Sequence, residues 1–221
     1  RIQNWYGVNQ FEEIYRILVS DPNSRRAIIS LFDPARDFFS DDFPCSNWLH
    51  FTIRNGRLNL KVASRSMDII WGSTLNFFEW SVVQEIMAKW LNVEIGKLTY
   101  FISSLHIYEP FYERMNDILK YPLNIDIINP IEWDLPKDIF YSELKTFFTE
   151  EAQIRELKTP NFDNCKSRII KVSLKLLLSY NYHKNKNYDK VVNVLNEIED
   201  CDLKIMAIDF YKRNINYSNL L

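Results

Sequence analysis

The sequence of 221 residues contains only four glycines, and none lies in a glycine-rich loop of the kind that cradles phosphate groups. We therefore do not expect a Walker or Rossmann nucleotide site. No apolar stretch reaches the roughly 18 residues that a membrane span needs. The first residues, Arg1 to Trp5, also lack the apolar segment of a signal peptide. These absences predict a soluble globular protein located in the cytoplasm.

Cysteine and histidine are scarce as well, with three residues of each, and neither type shows the spacing of a metal site. The cysteines are not arranged like the pairs of a disulfide framework, so we expect a reducing compartment and no bound metal. Cys165 and Cys201 lie in the C-terminal part of the chain, where we interpret both as structural.

Charge is nearly balanced, with a net charge of -2 and an isoelectric point near 6.0. A general attraction for polyanions is not expected, so nucleic acid is not a predicted partner. Binding of a mononucleotide, by contrast, requires only a few arginines and is compatible with this net charge. Hydrophobic residues make up 47% of the chain, which is enough for the core of one domain or of one domain with an appendage.

Hydrophobic periodicity divides the first half of the chain into helices and strands. It predicts helices over 10–19 and 74–91 and strands over 27–32, 48–53, 58–62 and 98–106. Asn55-Gly56 between two of these strands is a strong hairpin signal. Because Cys45 precedes this hairpin and Arg65 follows it, we expect the two residues to meet at one pocket.

The character of the chain changes after residue 121. Three prolines mark a loop-rich stretch (Pro122, Pro130 and Pro136), and helices rich in Lys, Asn and Glu are predicted over 169–180, 188–198 and 204–213. We interpret residues 1–121 as one domain and residues 122–221 as a separate, mainly helical C-terminal region.

Candidate functional residues fall into five short motifs: Ser24-Arg25-Arg26, Pro44-Cys45, Arg65-Ser66-x-Asp68, Gly72-x-x-x-Asn76 and His106-x-Tyr108. A thiol is a suitable nucleophile for the weakly electrophilic carbon 6 of a pyrimidine, and its addition makes carbon 5 nucleophilic. Guanidinium groups suit a phosphate because they donate paired hydrogen bonds. Taken alone, a cysteine after a proline is more often a small buried residue, and an arginine pair is more often solvated.

In this order and spacing the five motifs resemble those of thymidylate synthase and the related pyrimidine nucleotide hydroxymethylases. The resemblance covers about half of the chain, from Gly7 to Glu113. It implies an α+β fold in which a mixed β-sheet packs against helices, followed by a divergent helical C-terminal part.

The resemblance also assigns roles to the residues that bind the phosphate and attack the base. Cys45 would add to carbon 6, while Arg65 and Ser66 would hold the phosphate, with Arg65 also close to the thiol. Arg25 and Arg26 would reach across a twofold axis to the phosphate bound by the other subunit. A homodimer is therefore implied.

Recognition of the base and sugar is assigned in the same way. Asn76 would pair with the pyrimidine edge, and because relatives acting on cytosine tend to have Asp there, it favours uracil. The alternative is that Asn76 is simply a helix N-cap. Asp68, with Gly72 nearby in the substrate site, would lie between base and folate. His106 and Tyr108 would bind the sugar 3'-hydroxyl, since alternate strand residues point to one face.

Several positions depart from the family pattern. Family residues His, Gln, Gln and Asp are replaced here by Ser46, His50, Ser64 and Ser104, respectively. The upstream segment that supplies the family's catalytic glutamate would fall before Arg1. The last residues, 216–221, do not show the family's closing tail.

The expected activity is transfer of a one-carbon unit from methylene-tetrahydrofolate to carbon 5 of a uridine-type nucleoside monophosphate. Cys45, Arg65, Asp68 and Asn76 form the expected catalytic set. One alternative is a hydroxymethylase, in which water intercepts the exocyclic methylene of the same adduct. Another is a nucleotide-binding homologue that has lost catalysis.

Overall fold

The computed structural model describes residues 1–120 and 130–214. The chain divides into two compact units, Arg1–Leu123 and Asn124–Leu221. Within the described residues, no helix is both long enough and apolar enough to cross a membrane. The predicted loop at Pro122 and the tail at 216–221 lie outside the described residues.

The first unit is built on a mixed sheet of four strands: β1 (Ile28–Ser30), β2 (Ser46–Arg54), β3 (Arg57–Ser64) and β5 (Glu94–Ile102). Their order in the sheet is β1-β2-β3-β5. β3 and β5 run parallel, whereas the other neighbours run antiparallel. Two shorter strands, β4 (Met67–Asp68) and β6 (Leu105–His106), form a separate parallel pair. The predicted α+β class with a mixed sheet is confirmed.

The hairpin between β2 and β3 is the one that the sequence predicts. Asn55 and Gly56 both adopt left-handed backbone conformations, with φ of 52° and 72°, as a tight two-residue hairpin turn requires. Both strands are longer than predicted and pair as far as Ser46 and Ser64. The open end of the hairpin therefore lies next to Cys45 and Arg65.

Helices cover the apolar side of this sheet. These helices are α1 (Gln10–Ser20) and α3 (Gly72–Leu91), with the short α2 (Pro34–Asp37) and α4 (Tyr112–Ile118) elsewhere in the unit. Leu58, Leu60 and Val62 alternate along β3 and are fully buried. The side-chain amide of Gln84 on α3 donates to the Leu58 carbonyl oxygen at 2.7 Å, which ties the helix to the sheet.

The strand predicted over 98–106 is wrong in one respect, because Ser103 and Ser104 separate β5 from β6. The Ser104 carbonyl oxygen accepts a hydrogen bond from the Met67 amide at 2.9 Å. The chain therefore leaves the main sheet at this point to pair with β4, which a continuous strand could not do.

The second unit is helical in its described part. Its helices are α5 (Lys137–Arg155), α6 (Arg168–Lys184), α7 (Tyr188–Asn196) and α8 (Asp202–Asn214). The helices predicted over 169–180, 188–198 and 204–213 correspond to α6, α7 and α8, respectively. Cys165 and Cys201 are buried, as expected for structural residues.

Candidate active site

Cys45 is an exposed, free cysteine that immediately precedes β2. It lines a cavity of about 320 Å³ together with Asn76, Glu79 and Trp80 from α3 and with Ser46. The cavity thus brings the predicted nucleophile and the predicted base-recognition residue to one place. A thiol open to a cavity of this size is accessible to a small planar ligand.

Arg65 lies beside the segment that carries Cys45, at the open end of the hairpin. Its backbone amide donates to the Cys45 carbonyl oxygen at 2.8 Å, and its guanidinium donates to the Phe43 carbonyl oxygen, also at 2.8 Å. The guanidinium lies 4.4 Å from the centre of the Phe43 ring. Its Nε is buried without a hydrogen-bond partner in the described part of the chain. Cys45 and Arg65 are thus adjacent at the end of the hairpin, but Arg65 is not among the described residues that line the cavity of Cys45, so a shared pocket remains a prediction.

Asp68 caps the start of α3 with its side chain. Its carboxylate accepts hydrogen bonds from the backbone amides of Ile70, Trp71 and Gly72, the last two at 2.6 and 3.1 Å. Burial works against ionisation of this carboxyl, but these amides and the nearby His106 outweigh it, so the pKa of Asp68 lies below its usual value. Asp68 is thus held as a carboxylate.

The short β4–β6 pair places Asp68 next to His106. The two residues are register partners, and the Ile69 amide donates to the His106 carbonyl oxygen at 2.9 Å. The rings of His106 and Tyr108 are in edge contact, with centroids 5.0 Å apart. These three candidate residues are therefore neighbours, although His106 lies on a two-residue strand and Tyr108 lies beyond it.

The interpretation of Asn76 as a helix N-cap is wrong. The helix begins four residues earlier, at Gly72, so Asn76 lies inside the first turns of α3. Its carbonyl oxygen accepts a hydrogen bond from the Tyr100 hydroxyl at 2.7 Å. Its side-chain nitrogen lies 3.9 Å from where a Cβ on Gly72 would stand. The side chain is consequently not used to cap the helix.

Ser46 and Ser64, two of the departures from the family pattern, contact each other. Their hydroxyl oxygens are 3.1 Å apart on paired strands, and both residues are buried. The Trp80 indole N-H donates to the Ser46 hydroxyl at 3.3 Å. Ser46 and Trp80 both line the cavity of Cys45. The two substitutions therefore form one hydrogen-bonded unit at the wall of this cavity.

The other two departures lie at different places. His50 pairs with Ile28 and Lys61 in the sheet, and burial, followed by the charge of Lys61, lowers its pKa. Ser104 is exposed at the break between β5 and β6. Neither residue is among the described residues that line the cavity of Cys45.

In the part of the chain that the structure describes, the side chains of Arg25, Arg26 and Ser66 form no hydrogen bond or ion pair with the other candidate residues. Arg25 and Arg26 are exposed just before β1, at the edge of the sheet, and neither guanidinium forms an ion pair in the part of the chain that the structure describes. Ser66 is partly buried between β3 and β4. Their predicted roles in phosphate binding remain predictions.

Glu79 is a cavity residue that the sequence analysis does not identify. It follows Asn76 by three residues on α3, so the two side chains project from the same side of the helix. As a residue it is exposed, yet protein atoms surround its carboxyl closely enough that desolvation raises the pKa of Glu79. The available signal was an acidic residue within an otherwise apolar stretch, Phe77-Phe78-Glu79-Trp80.

The thymidylate synthase family model matches residues 2–125. This match covers more than half of the chain, so the chain belongs to the thymidylate synthase family.

Individual relatives include both kinds of enzyme. A deoxyuridylate hydroxymethyltransferase of Bacillus phage SP01 is 29% identical, and the match covers 96% of this chain and 64% of the relative. The thymidylate synthase of Enterobacteria phage T4 is 32% identical over 52% of this chain and 40% of its own length. The crystal structure of T4 phage thymidylate synthase matches with a TM-score of 0.57 and 28% identity, over 63% of this chain and 49% of that one. The chain thus spans less than two thirds of these relatives.

Proposed function

We propose that this protein transfers a one-carbon unit to carbon 5 of a uridine-type nucleoside monophosphate, in the deoxy form that the relatives' names specify. The observation that carries this proposal is the shared cavity of the Cys45 thiol and the Asn76 side chain. Membership of the thymidylate synthase family supports the reaction class.

The thiol supplies the nucleophile. The Cys45 sulfur, as thiolate, forms a bond to carbon 6, and the electron pair of the 5,6 double bond moves to carbon 5 and the carbonyl oxygen at position 4. Carbon 5 then forms a bond to the one-carbon unit. Loss of the proton from carbon 5 accompanies release of the carrier and leaves an exocyclic methylene. Addition of hydride from the carrier, or of water, to this methylene re-forms the 5,6 double bond as the bond between sulfur and carbon 6 breaks, which releases Cys45 as thiolate.

Asn76 is the proposed reader of the base. An amide can donate to the carbonyl oxygen at position 4 of uracil and accept from the ring N-H at position 3. The backbone of Asn76 is fixed by the hydrogen bond from Tyr100, which leaves the side-chain amide available. Its position within α3 rather than at its cap supports this role.

The phosphate is the proposed ligand of Arg65 and Ser66, completed by the partner subunit's Arg25 and the partner subunit's Arg26. Arg65 already has one guanidinium nitrogen on the Phe43 carbonyl oxygen, while its side chain remains 39% exposed. Arg25 and Arg26 stand before the edge strand β1, where a second copy can approach. A phosphate at Arg65 would also place the base toward Cys45, whose backbone Arg65 contacts.

The thymidylate synthase family uses methylene-tetrahydrofolate as co-substrate. When bound, it supplies the electrophilic one-carbon unit and, for a methyl product, the hydride. Trp71, three residues after Asp68, is 55% exposed. Its ring is in edge contact with the Phe111 ring, and the two ring centroids are 6.1 Å apart. The Arg114 guanidinium lies 5.7 Å from the Trp71 ring centre. A flat heterocycle with an anionic tail fits this combination of exposed aromatic surface and positive charge.

Hydroxymethylation is the second candidate outcome. It is favoured by the match to the deoxyuridylate hydroxymethyltransferase of phage SP01, which extends over 96% of the chain and so includes most of the helical second unit. The two outcomes differ in whether water or hydride reaches the exocyclic methylene, so exclusion of water decides between them.

The test is to incubate the purified full chain with deoxyuridine monophosphate and methylene-tetrahydrofolate and to determine the mass of the nucleotide product by mass spectrometry. A gain of a methyl or a hydroxymethyl group supports one-carbon transfer. Which of the two groups is gained distinguishes a thymidylate synthase from a hydroxymethylase. Cys45→Ser should abolish turnover and leave nucleotide affinity nearly unchanged, whereas Cys201→Ser should retain activity in folded protein. Nucleotide binding without any mass gain would instead support the binding homologue that has lost catalysis.

A further inference from the structure

The cavity of Cys45 contains a carboxyl group whose role is not assigned by the steps above. Glu79 lines this cavity, and it lies one helical turn beyond Asn76 on α3. If Asn76 reads the edge of the base, then Glu79 projects from the same helix face toward the same ring. The thiol, the amide and the carboxyl thus surround a single space.

No cation neutralises this carboxyl within the described residues. Arg1 also lines the cavity, but its guanidinium is engaged by both carboxylate oxygens of Asp37, at 2.7 and 2.9 Å. Glu79 forms no ion pair and no hydrogen bond among the residues that the structure describes, and burial of its carboxyl raises its pKa. A carboxylate that is partly desolvated and unpaired is a stronger base than one held in an ion pair.

We propose that the carboxylate of Glu79 is the general base that removes the hydrogen from carbon 5 of the bound pyrimidine. This inference rests on the proposed function and identifies one of its catalytic residues. The step occurs after carbon 5 has bonded to the one-carbon unit.

The atoms and electrons of this step balance within the proposed reaction. The bond between carbon 5 and hydrogen breaks, and a Glu79 oxygen takes the proton. The electron pair forms the double bond from carbon 5 to the exocyclic methylene as the carrier amine departs. Glu79 returns the proton to solvent through the open side of the residue, so no further oxidant or reductant is required.

The ionisable groups around Glu79 come from three other parts of the unit. They are Tyr100 on β5, Cys45 before β2, and Arg1, which is paired with Asp37. Burial and then the charge of Glu79 raise the pKa of Tyr100, so this phenol stays protonated and keeps its hydrogen bond to the Asn76 carbonyl. The acid limb of the pH–rate profile, shifted upward from that of an ordinary carboxyl because desolvation raises the pKa of Glu79, is therefore assigned to this residue.

The experiment compares the full chain with Glu79→Gln, Glu79→Asp and the control Glu94→Gln. Glu94 is an exposed residue of the same unit, and among the described residues its carboxylate pairs only with Arg57, at 3.0 Å. Three quantities are measured: the nucleotide dissociation constant by calorimetry, the Cys45–nucleotide adduct by mass spectrometry, and release of tritium from carbon 5 in the presence of methylene-tetrahydrofolate.

We expect Glu79→Gln to bind nucleotide within about twofold of the unmodified chain and to form the adduct. Tritium release should fall by about 100-fold or more, the usual loss for a general base. Glu79→Asp should recover part of the rate, and Glu94→Gln should retain all of it. The acid limb of the pH profile, where the rate falls as the Glu79 carboxylate is protonated, should disappear in Glu79→Gln.

Unchanged tritium release and an unchanged pH profile in Glu79→Gln would overturn this inference while leaving one-carbon transfer intact. Failure of the unmodified chain to form any Cys45-dependent adduct or product would overturn both. Loss of nucleotide binding in Glu79→Gln would also contradict a role in proton transfer, because it would make Glu79 a binding residue.

Discussion

The hydroxyl oxygens of Ser46 and Ser64 lie 3.1 Å apart, on paired strands, one residue after Cys45 and one residue before Arg65. The family pattern has larger polar residues, His and Gln, at these two positions. Because the two hydroxyls contact each other, we expect the effects of the two residues on stability to be coupled.

This coupling predicts unequal costs for removing the two hydroxyls. Ser46→Ala leaves both the Trp80 indole N-H and the Ser64 hydroxyl without their partner, and should lower the free energy of unfolding by about 1–3 kcal/mol. Ser64→Ala leaves Ser46 bound to Trp80 and should cost about 1 kcal/mol. Urea unfolding of both single variants and the double variant measures these values. Additive losses in the double variant would show that the two serines act independently.

Arg65→Ala should weaken binding of the nucleoside monophosphate by about 10- to 100-fold, since a charge-assisted hydrogen bond contributes about 1.5–3 kcal/mol. The parent nucleoside should bind both proteins equally. Arg57→Ala, at the other end of the same strand, is the matched control because the Arg57 guanidinium pairs, within the described ranges, only with exposed Glu94. Calorimetric titrations with nucleotide and nucleoside give the comparison. Equal weakening for both ligands would contradict the phosphate role.

Asn76→Asp should shift the preference from uracil toward cytosine. A carboxylate only accepts hydrogen bonds, so it suits the exocyclic amine of cytosine and loses the donor for the uracil carbonyl. The hydrogen bond from Tyr100 reaches the backbone of residue 76 and should survive the change. The ratio of dissociation constants for the two deoxynucleotides is the measurement, with Asn55→Asp in the hairpin turn as control. An unaltered ratio would remove Asn76 from base recognition.

Two glycines should respond differently to alanine. A Cβ on Gly96 would lie 2.6 Å from the Asn59 side-chain oxygen and 2.8 Å from the Leu58 carbonyl oxygen, so Gly96→Ala should be strongly destabilising. At Gly72, the first residue of α3, the nearest atom, on Asp68, lies at an ordinary 3.7 Å, so an added methyl group fits without a clash. Thermal unfolding should show a lower melting temperature for the first variant and a nearly unchanged one for the second.

The sequence predicted those parts of the fold that depend on local signals. Asn55-Gly56 specified a turn that only left-handed conformations satisfy, and the hairpin followed from it. The start of α3 could not be predicted in this way, because its cap is the Asp68 side chain, four residues before Gly72, rather than a residue at the helix boundary. The interpretation of Asn76 as the N-cap of this helix was wrong for the same reason.

Some features of the candidate site could not be predicted from the sequence, for a different physical reason. Family motifs identified Cys45 and Arg65, and the hairpin explained how they meet. Glu79 was missed because its importance depends on which cavity the helix face lines, and periodicity describes only how apolar that face is. The contact between Ser46 and Ser64 likewise depends on strand register, which the motifs alone do not give.

The backbone hydrogen bond between Arg65 and Cys45 closes the end of the hairpin opposite its turn. Pairing along β2 and β3, rather than any loop, therefore sets the separation of the Cys45 and Arg65 backbones. Changes at the turn, Asn55-Gly56, would leave that separation unaltered as long as the strand register is kept. A slip of one residue along the ladder would instead part the two residues that we propose to contact the base and the phosphate.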